Sequence, residues 1–280
     1  MGQTLRIALV QTRTPATADA GLAHVEPLIR EAAAGGARLI LTPEGTNLLE
    51  QRRDRRASTI VDEADDPAVA GLRALAAELG VWILIGSAIV RWGAGDDPRA
   101  ANRSLLIDDR GRITARYDKL HVFDVDLENG ESYRESSNIR PGDRAAVAET
   151  PWGRLGLTVC YDVRFPHLFR QLAKAGASLI AVPAAFTVPT GQAHWEVLLR
   201  ARAIETGAFI LAPAQGGEHE DGRRTWGRST VIGPWGELIA KLDNDAPGVL
   251  FADLDLDAVA KARRSIPALT HDREFAPPDA

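Results

Sequence analysis

The sequence predicts an α/β fold in which layered mixed sheets are covered by helices. Three observations predict it. Short apolar runs rich in β-formers alternate with segments of helical periodicity. Two Pro-Trp-Gly tripeptides, at 151–153 and 234–236, each separate a pair of strand-like runs. No low-complexity linker interrupts the 280 residues, so one domain is expected, with its core over about 5–265 and an extended tail over 266–280.

In chain order, Leu5–Val10 reads as a buried strand. Ala18–Ala34 reads as an Ala-rich helix ending at Gly35-Gly36, with Pro27 as a possible kink. Ala37–Leu41 is a second strand that runs into Thr42-Pro43-Glu44, completing a β-α-β opening. Pro67–Leu79 is helical and stops at Gly80, and Val81–Ile85 is a buried strand. Ser104–Ile107 and Ile113–Tyr117 flank Asp109-Arg110-Gly111 as a hairpin, with Lys119 just beyond it. Residues 124–143 are polar and contain glycine, which predicts a long functional loop.

Ala146–Glu149 and Leu155–Val159 form the next hairpin, followed by a helix over Pro166–Ala175, a strand over Leu179–Val182, a helix over Ala193–Glu205 and a strand over Phe209–Leu211. Ser229–Ile232 and Leu238–Lys241 make the second Pro-Trp-Gly hairpin. A last strand, Val249–Leu254, precedes a short basic helix near Ala258–Arg264 and a tail over Thr270–Ala280.

Composition narrows the function. The hydrophobic fraction of 45% and charged fraction of 25% belong to a chain with a sizeable core. A net charge of −5 excludes the basic footprint of a nucleic-acid binder. The run Arg52, Arg53, Arg55, Arg56 reads as a solvated face. No apolar run approaches the roughly 20 residues that cross a bilayer, so a cytoplasmic protein without membrane contact is expected. Neither a metal nor a cofactor is called for: Glu218-His219-Glu220 offers one imidazole without a partner at helical spacing and reads as a polar hairpin tip.

The single cysteine forms no intrachain disulfide, and a lone cysteine is most often a small buried hydrophobe. Its setting argues otherwise. Cys160 ends the run Leu155–Val159 and precedes a turn and a helix, a position that lifts a nucleophile from the sheet and brings backbone N–H groups near the sulfur. Of the six histidines only His167 is near it in sequence, so a Cys-His pair is possible without being supported. Carboxylates offer another route. Glu44 and Lys119 each follow a strand, and base, cation and thiol at strand ends could converge.

Three segments carry a resemblance. Leu41-Thr42-Pro43-Glu44, Tyr117 to Asp124 (YDKLHVFD) and Gly156 to Pro166 (GLTVCYDVRFP) resemble, in order, the signature segments of the carbon–nitrogen hydrolase (nitrilase) superfamily. The likeness extends from Leu5 to about Phe275. It implies a four-layer α-β-β-α sandwich of mixed sheets, extended by dimerisation through helices, with Ala193–Glu205 as an interface element.

It also implies Glu44 as general base, Lys119 as catalytic lysine and Cys160 as nucleophile. Glu135 would orient Lys119, and the Tyr161 N–H would share the oxyanion with the Lys119 ammonium. Cys160-Tyr161-Asp162 departs from the Cys-Trp-Glu of true nitrilases and resembles the Nit-type amidases. With Ala185–Glu205, it resembles most the branch acting on deaminated glutathione, followed by the ω-amidases acting on α-ketoglutaramate. Thr42 departs from a common Leu and is expected to leave the chemistry alone.

The expected reaction is hydrolysis of a small linear amide through a cysteine thioester, in a homodimer or higher oligomer. The acyl half of either substrate carries a carboxylate, for which Arg164 is a candidate partner, unless it is held in a salt bridge by Asp162 or a helix residue. Thr190 and the backbone near Phe186 are further candidates. An N-carbamoyl amino acid amidohydrolase, a nitrilase, and a non-enzymatic thiol sensor or scaffold are the competing readings.

Overall fold

The computed structural model describes residues 3–50, 52, 55, 59–93, 97–126, 130, 132–276 and 278. Two six-stranded sheets face each other. The first has the order β16 (Gly248–Asp255), β1 (Thr4–Gln11), β2 (Leu39–Leu41), β3 (Trp82–Arg91), β4 (Ala100–Ile107) and β5 (Ile113–Asp118). The second has the order β15 (Leu238–Lys241), β14 (Thr230–Ile232), β11 (Phe209–Ala212), β10 (Ala177–Ala181), β9 (Gly153–Leu157) and β8 (Ala146–Thr150). Both are mixed: β1, β2 and β3 run parallel, as do β9, β10 and β11, and the outer pairs are antiparallel.

Alternation along β1 explains the layering. Leu5, Ile7 and Leu9 point into the seam between the sheets, where they join Leu155, Leu157 and Leu179. Ala8 and Val10 point the other way, onto helices α1 (Ala18–Ala34) and α2 (Pro67–Leu79), through Val25, Ile29, Leu72 and Leu75. On the second sheet, α3 (Pro166–Lys174) packs on β9 and β10, and α4 (Val188–Thr206) on β11 and β14. Helix, sheet, sheet and helix make the four layers. Each seam Leu or Ile, fully buried, contributes about 1.5–3 kcal/mol, and together they fix one sheet against the other.

The elements differ from expectation in instructive places. The strand expected over Val81–Ile85 runs to Arg91, and its partner begins at Ala100, not Ser104, because the two pair antiparallel as far as Arg91 and Ala100. Residues 124–143 are not all loop. They contain a small hairpin, β6 (Asp124–Asp126) with β7 (Ser132–Arg134), and a 3-10 turn at Glu135–Ser137. The helix expected from Ala193 starts five residues earlier, with Pro189 in its first turn, where proline is favoured.

α1 continues through Pro27, and both Pro-Trp-Gly tripeptides make hairpin turns whose glycines have φ of 112° and 86°. Another two-stranded hairpin, β12 (Gly216–Glu218) with β13 (Arg224–Trp226), carries Glu218-His219-Glu220 at its tip. α5 (Asp257–Ser265) is the short basic helix, and the described part of the tail after Thr270 has no regular structure. Arg52 and Arg55 are exposed, Arg52 pairing with Glu50 at 2.6 Å. Arg53, Arg56 and tail residues 277, 279 and 280 lie outside the described residues. Among the described residues no helix is long and apolar enough to cross a membrane.

Candidate active site

The strand-end segments after β2, β5 and β9 meet at one rim of the sandwich. Glu44 follows β2 by three residues. Gly86 lets the β3 backbone approach there: a Cβ on it would lie 1.9 Å from the Thr42 carbonyl oxygen and 2.6 Å from that of Pro43. The Thr42 hydroxyl donates to the Leu84 carbonyl and accepts from the Gly86 N–H and the Thr46 hydroxyl, so this departure from the motif is used in the turn. The Gly45 N–H donates to Ser87 Oγ and the Gln215 amide to the Glu44 carbonyl, which fixes the backbone on both sides of the carboxylate.

Lys119 follows β5 and is buried. Its Nζ donates to Glu44 Oε1 at 2.8 Å and to both oxygens of Glu135, at 3.0 and 2.9 Å. Glu135 caps the base of the β6–β7 hairpin, where its Oε2 also accepts the Phe123 N–H at 2.6 Å. Asn102 on β4 donates to Glu44 Oε1 at 2.8 Å and to Glu135 Oε1 at 3.3 Å. Glu44 Oε2 accepts the Ala185 N–H at 3.0 Å.

Cys160 stands in a left-handed conformation, with φ of 50°, a strained backbone for a residue with a Cβ. Its N–H is held by the Pro183 carbonyl at 2.8 Å, and that of Asp162 by the Val159 carbonyl at 3.1 Å. The thiol is 8% exposed, lines a cavity and is hydrogen-bonded to the Glu44 carboxylate.

The charges follow from these contacts. Burial alone would raise the Glu44 carboxyl, but the Lys119 charge and the bonds from Lys119, Cys160 and Asn102 outweigh it and hold it below its ordinary value. Burial would lower Lys119, and the carboxylates of Glu135 and Glu44 reverse this, so it remains an ammonium. Burial, then the Glu44 charge, pushes the Cys160 thiol well up against the opposing effect of Lys119. The sulfur keeps its proton and the carboxylate beside it is ionised.

Behind the turn lies a second buried carboxylate. Asp162 accepts from Tyr117 Oη at 2.7 Å, the Val159 N–H at 2.8 Å, the His121 N–H at 3.1 Å and His121 Nδ1 at 2.7 Å. Tyr117 and His121 flank Lys119, so Asp162 ties the lysine segment to the cysteine turn. His121 stacks on Phe165 with ring centroids 3.5 Å apart. The sequence reading treated Asp162 only as a partner for Arg164, and it is not one. Arg164 lies over the rings of Tyr161 and Phe186, with Nη1 3.3 Å from His194 Nδ1.

The cavity measures about 220 Å³. Its lining includes Glu44, Lys119, Glu135, Cys160, Tyr161, Arg164, Phe186 and Thr190, all the sequence-predicted residues, and also Asn102, Tyr133 and Arg223. Among the described residues no histidine lines it, and the Glu44 carboxylate is the thiol's neighbour there. Thr190 Oγ1 is 2.8 Å from Thr187 Oγ1. Among the described residues no three or more His, Cys, Asp or Glu side chains cluster as metal ligands. His219 is buried, with Nε2 2.8 Å from Thr225 Oγ1, and burial followed by the Arg223 charge lowers its pKa to about 4.

A family model for carbon–nitrogen hydrolases matches residues 6–264. A deaminated glutathione amidase of Yersinia enterocolitica is 41% identical over 268 residues, 95% of this chain and 92% of the relative. The crystal structure of Saccharomyces cerevisiae Nit3, a member of branch 10 of the nitrilase superfamily, aligns at TM-score 0.85 and 25% identity, over 98% of this chain and 97% of that one. An amidase of Nesterenkonia sp. AN1 aligns at TM-score 0.77 and 28% identity, over 94% and 98% of the two chains. In that structure, of a glutamate-to-glutamine mutant, acrylamide has added to the active-site cysteine by Michael addition.

Proposed function

The chain belongs to the carbon–nitrogen hydrolase family, and on that premise we propose that it hydrolyses the carboxamide of a small dicarboxylate-type acyl group through a thioester on Cys160. The enzyme is a hydrolase of carbon–nitrogen bonds in linear amides, not of peptide bonds. Deaminated glutathione or α-ketoglutaramate is the proposed substrate, with deaminated glutathione favoured by the name of the 41% identical relative. One observation carries the assignment of roles: a single ionised carboxylate, Glu44, bonds both the protonated thiol and the ammonium of Lys119 within a cavity.

Glu44 takes the thiol proton as sulfur attacks the amide carbon. The oxyanion forms between the Lys119 ammonium and the Tyr161 N–H, its neighbours at Cys160 and Asp162 being already engaged. A Lys119 hydrogen turns to the oxyanion when a single N–H spans both oxygens of Glu135, which lie 3.0 and 2.9 Å from Nζ. The tetrahedral intermediate collapses, the C–N bond breaks, and Glu44 returns its proton to the departing amine. Glu44 then removes a proton from water, whose oxygen attacks the thioester. The C–S bond breaks, the acid leaves, and Glu44 returns the proton taken from water to the sulfur. Arg164, which pairs with no carboxylate among the described residues and is placed over Phe186, receives the acyl-side carboxylate, with Thr190 and the backbone near Phe186 beside it.

Intact mass spectrometry with α-ketoglutaramate and deaminated glutathione tests the reading: both are expected to give the same α-ketoglutaryl mass increment, mapped to Cys160. A steady-state panel adding an N-carbamoyl amino acid and a simple nitrile completes the test. Absence of any adduct, with no turnover on the two amides, would sink it, and preferential turnover of the added compounds would select the corresponding alternative.

The chain acts as one domain and, we propose, as a cytoplasmic homodimer. Val197 and Ile204 on α4 are 68% and 60% exposed, and Trp235, next to the Gly236 that approaches Ile204, is 59% exposed, apolar surface suited to a second copy. Sedimentation of the wild type and of Ile204→Glu tests this. Dimers lost in the variant are expected, and a monomeric wild type would refute it.

A further inference from the structure

Around Lys119 four polar atoms close a ring. Nζ contacts Glu44 Oε1 at 2.8 Å and Glu135 Oε1 at 3.0 Å, and Asn102 Nδ2 contacts the same two oxygens at 2.8 and 3.3 Å. Donors and acceptors alternate: ammonium, carboxylate, amide, carboxylate. Asn102 also accepts the Lys119 N–H on its own backbone carbonyl at 3.0 Å. Its side chain thus faces both glutamates while its backbone fixes the lysine.

The amide's orientation is forced. Asn102 is 2% exposed, and its Oδ1 is buried without a hydrogen-bond partner. Turning the amide over would aim that oxygen at two carboxylate oxygens and leave the NH₂ without them. An orphaned buried acceptor is costly, and such groups concentrate at functional sites. Here the orphan is the consequence of directing both amide hydrogens at the charges.

We infer that Asn102 is a positioning residue of the reaction, clamping the carboxylates of Glu44 and Glu135 around Lys119 so that Glu44 stays able to accept the thiol proton. The inference rests on the reading of Glu44 as the base. Glu44 is faced by Lys119 from the segment after β5, Cys160 and Ala185 from the second sheet, Asn102 from β4, and Glu135 across the ring. Arg134, Arg164, Arg223 and Glu50 line the same cavity farther out. Among the described residues only Asn102 touches both carboxylates with a group that cannot titrate. The Asn102 bond is one of those that lower Glu44, in support of the geometry.

The test is the pH profile of kcat/KM on α-ketoglutaramate for the wild type, Asn102→Ala, Asn102→Asp, Glu44→Gln and Asn47→Ala, each with its melting temperature. Asn47 is a buried asparagine outside the cavity, bonded to Asp66 and Ile89, and serves as the structural control. Loss of a hydrogen bond to a charged group predicts that Asn102→Ala lowers kcat/KM roughly 10- to 100-fold at neutral pH. Its acid limb moves to higher pH, and that of Asn102→Asp moves further, because a third carboxyl favours protonation of Glu44.

Asn47→Ala melts earlier with its acid limb in place. An unmoved limb in Asn102→Ala, with a rate loss explained by unfolded protein, overturns the inference. If Asn102→Ala does not fold, Asn102→Ser, whose single hydroxyl hydrogen serves one carboxylate, is read in the same way. Wild-type turnover in Glu44→Gln overturns the reading of Glu44 as base and this inference with it. An inactive Glu44→Gln beside an unmoved limb in Asn102→Ala overturns the inference alone.

Discussion

Glu44 and Asp162 are both buried carboxylates, set on opposite sides of the Cys160 turn, and their surroundings differ in kind. Asp162 is met by two backbone amides, a phenol and an imidazole. Burial first, and then the Asp162 charge, pushes the Tyr117 phenol well above its ordinary value, so that partner keeps its proton. Glu44 is met by an ammonium, two amides and a thiol. Each carboxylate has its lone pairs engaged, which is what makes burial tolerable. Only Glu44 has a partner whose proton can leave and whose heavy atom then faces a cavity. On the proposed reading of Glu44 as base, what separates it from a scaffold carboxylate is the identity of one neighbour, not depth or the number of bonds.

The sharpest way to break this contrast is at the thiol and its base. Cys160→Ala and Glu44→Gln are expected to lose about 10⁴-fold or more in kcat, measured as ammonia release. Near-normal turnover in either would erase the distinction between the two carboxylates. Lys119→Met comes next, with about 10²- to 10³-fold lost in kcat. Stability should fall by about 3–5 kcal/mol in urea titration, because Glu44 and Glu135 are left facing each other without their cation. A variant as stable as the wild type would mean the ring is not held by charge.

Arg164→Met is expected to raise KM roughly 10- to 100-fold for α-ketoglutaramate and to leave a neutral amide such as propionamide unchanged. Equal effects on both would remove Arg164 from carboxylate binding. The smallest effect on catalysis belongs to Asp162→Asn. Whichever way that amide turns, its NH₂ faces the backbone N–H of Val159 or of His121, so stability should fall by about 1–3 kcal/mol. Activity per folded molecule should fall less than tenfold.

The acid limb should stay where Glu44 puts it. Because that pKa is depressed, the active form survives as pH falls below 4.5 and is lost only on passing the lower value. A limb moved by Asp162→Asn at unchanged stability would place Asp162 among the reacting charges.

Much of this was legible in the sequence, and the rest was hidden for identifiable reasons. Glu44, Lys119 and Cys160 stand at strand ends, where local patterning could find them, and the three motifs gave their order. That they share one cavity is a property of two sheets packed face to face, which no spacing along the chain expresses. Asn102 escaped because β4 reads as starting at Ser104. Pairing with the far end of β3 lengthens it, and Asn102 then stands as a polar break between Ala101 and the Ser104–Ile107 run. With three residues in each strand and mostly exposed, the β6–β7 hairpin alternates over too short a run to mark a strand. The first turn of α4 reads as a loop through Pro189 and Gly191, yet the proline suits a helix start, and the glycine is required because a Cβ there would meet the Trp226 ring at 2.3 Å.

The bond from the Phe123 N–H to Glu135 reaches beyond the hairpin it closes. One carboxylate neutralises the lysine and holds a hairpin that lines the cavity, so the hairpin's position and the lysine's charge are linked. A leaving group bulky enough to lever the hairpin outward would drag Glu135 from Lys119 and loosen the group meant to receive the developing negative charge. The size limit on substrates would then register as slower turnover of molecules that still bind, and shortening the hairpin would not relax it.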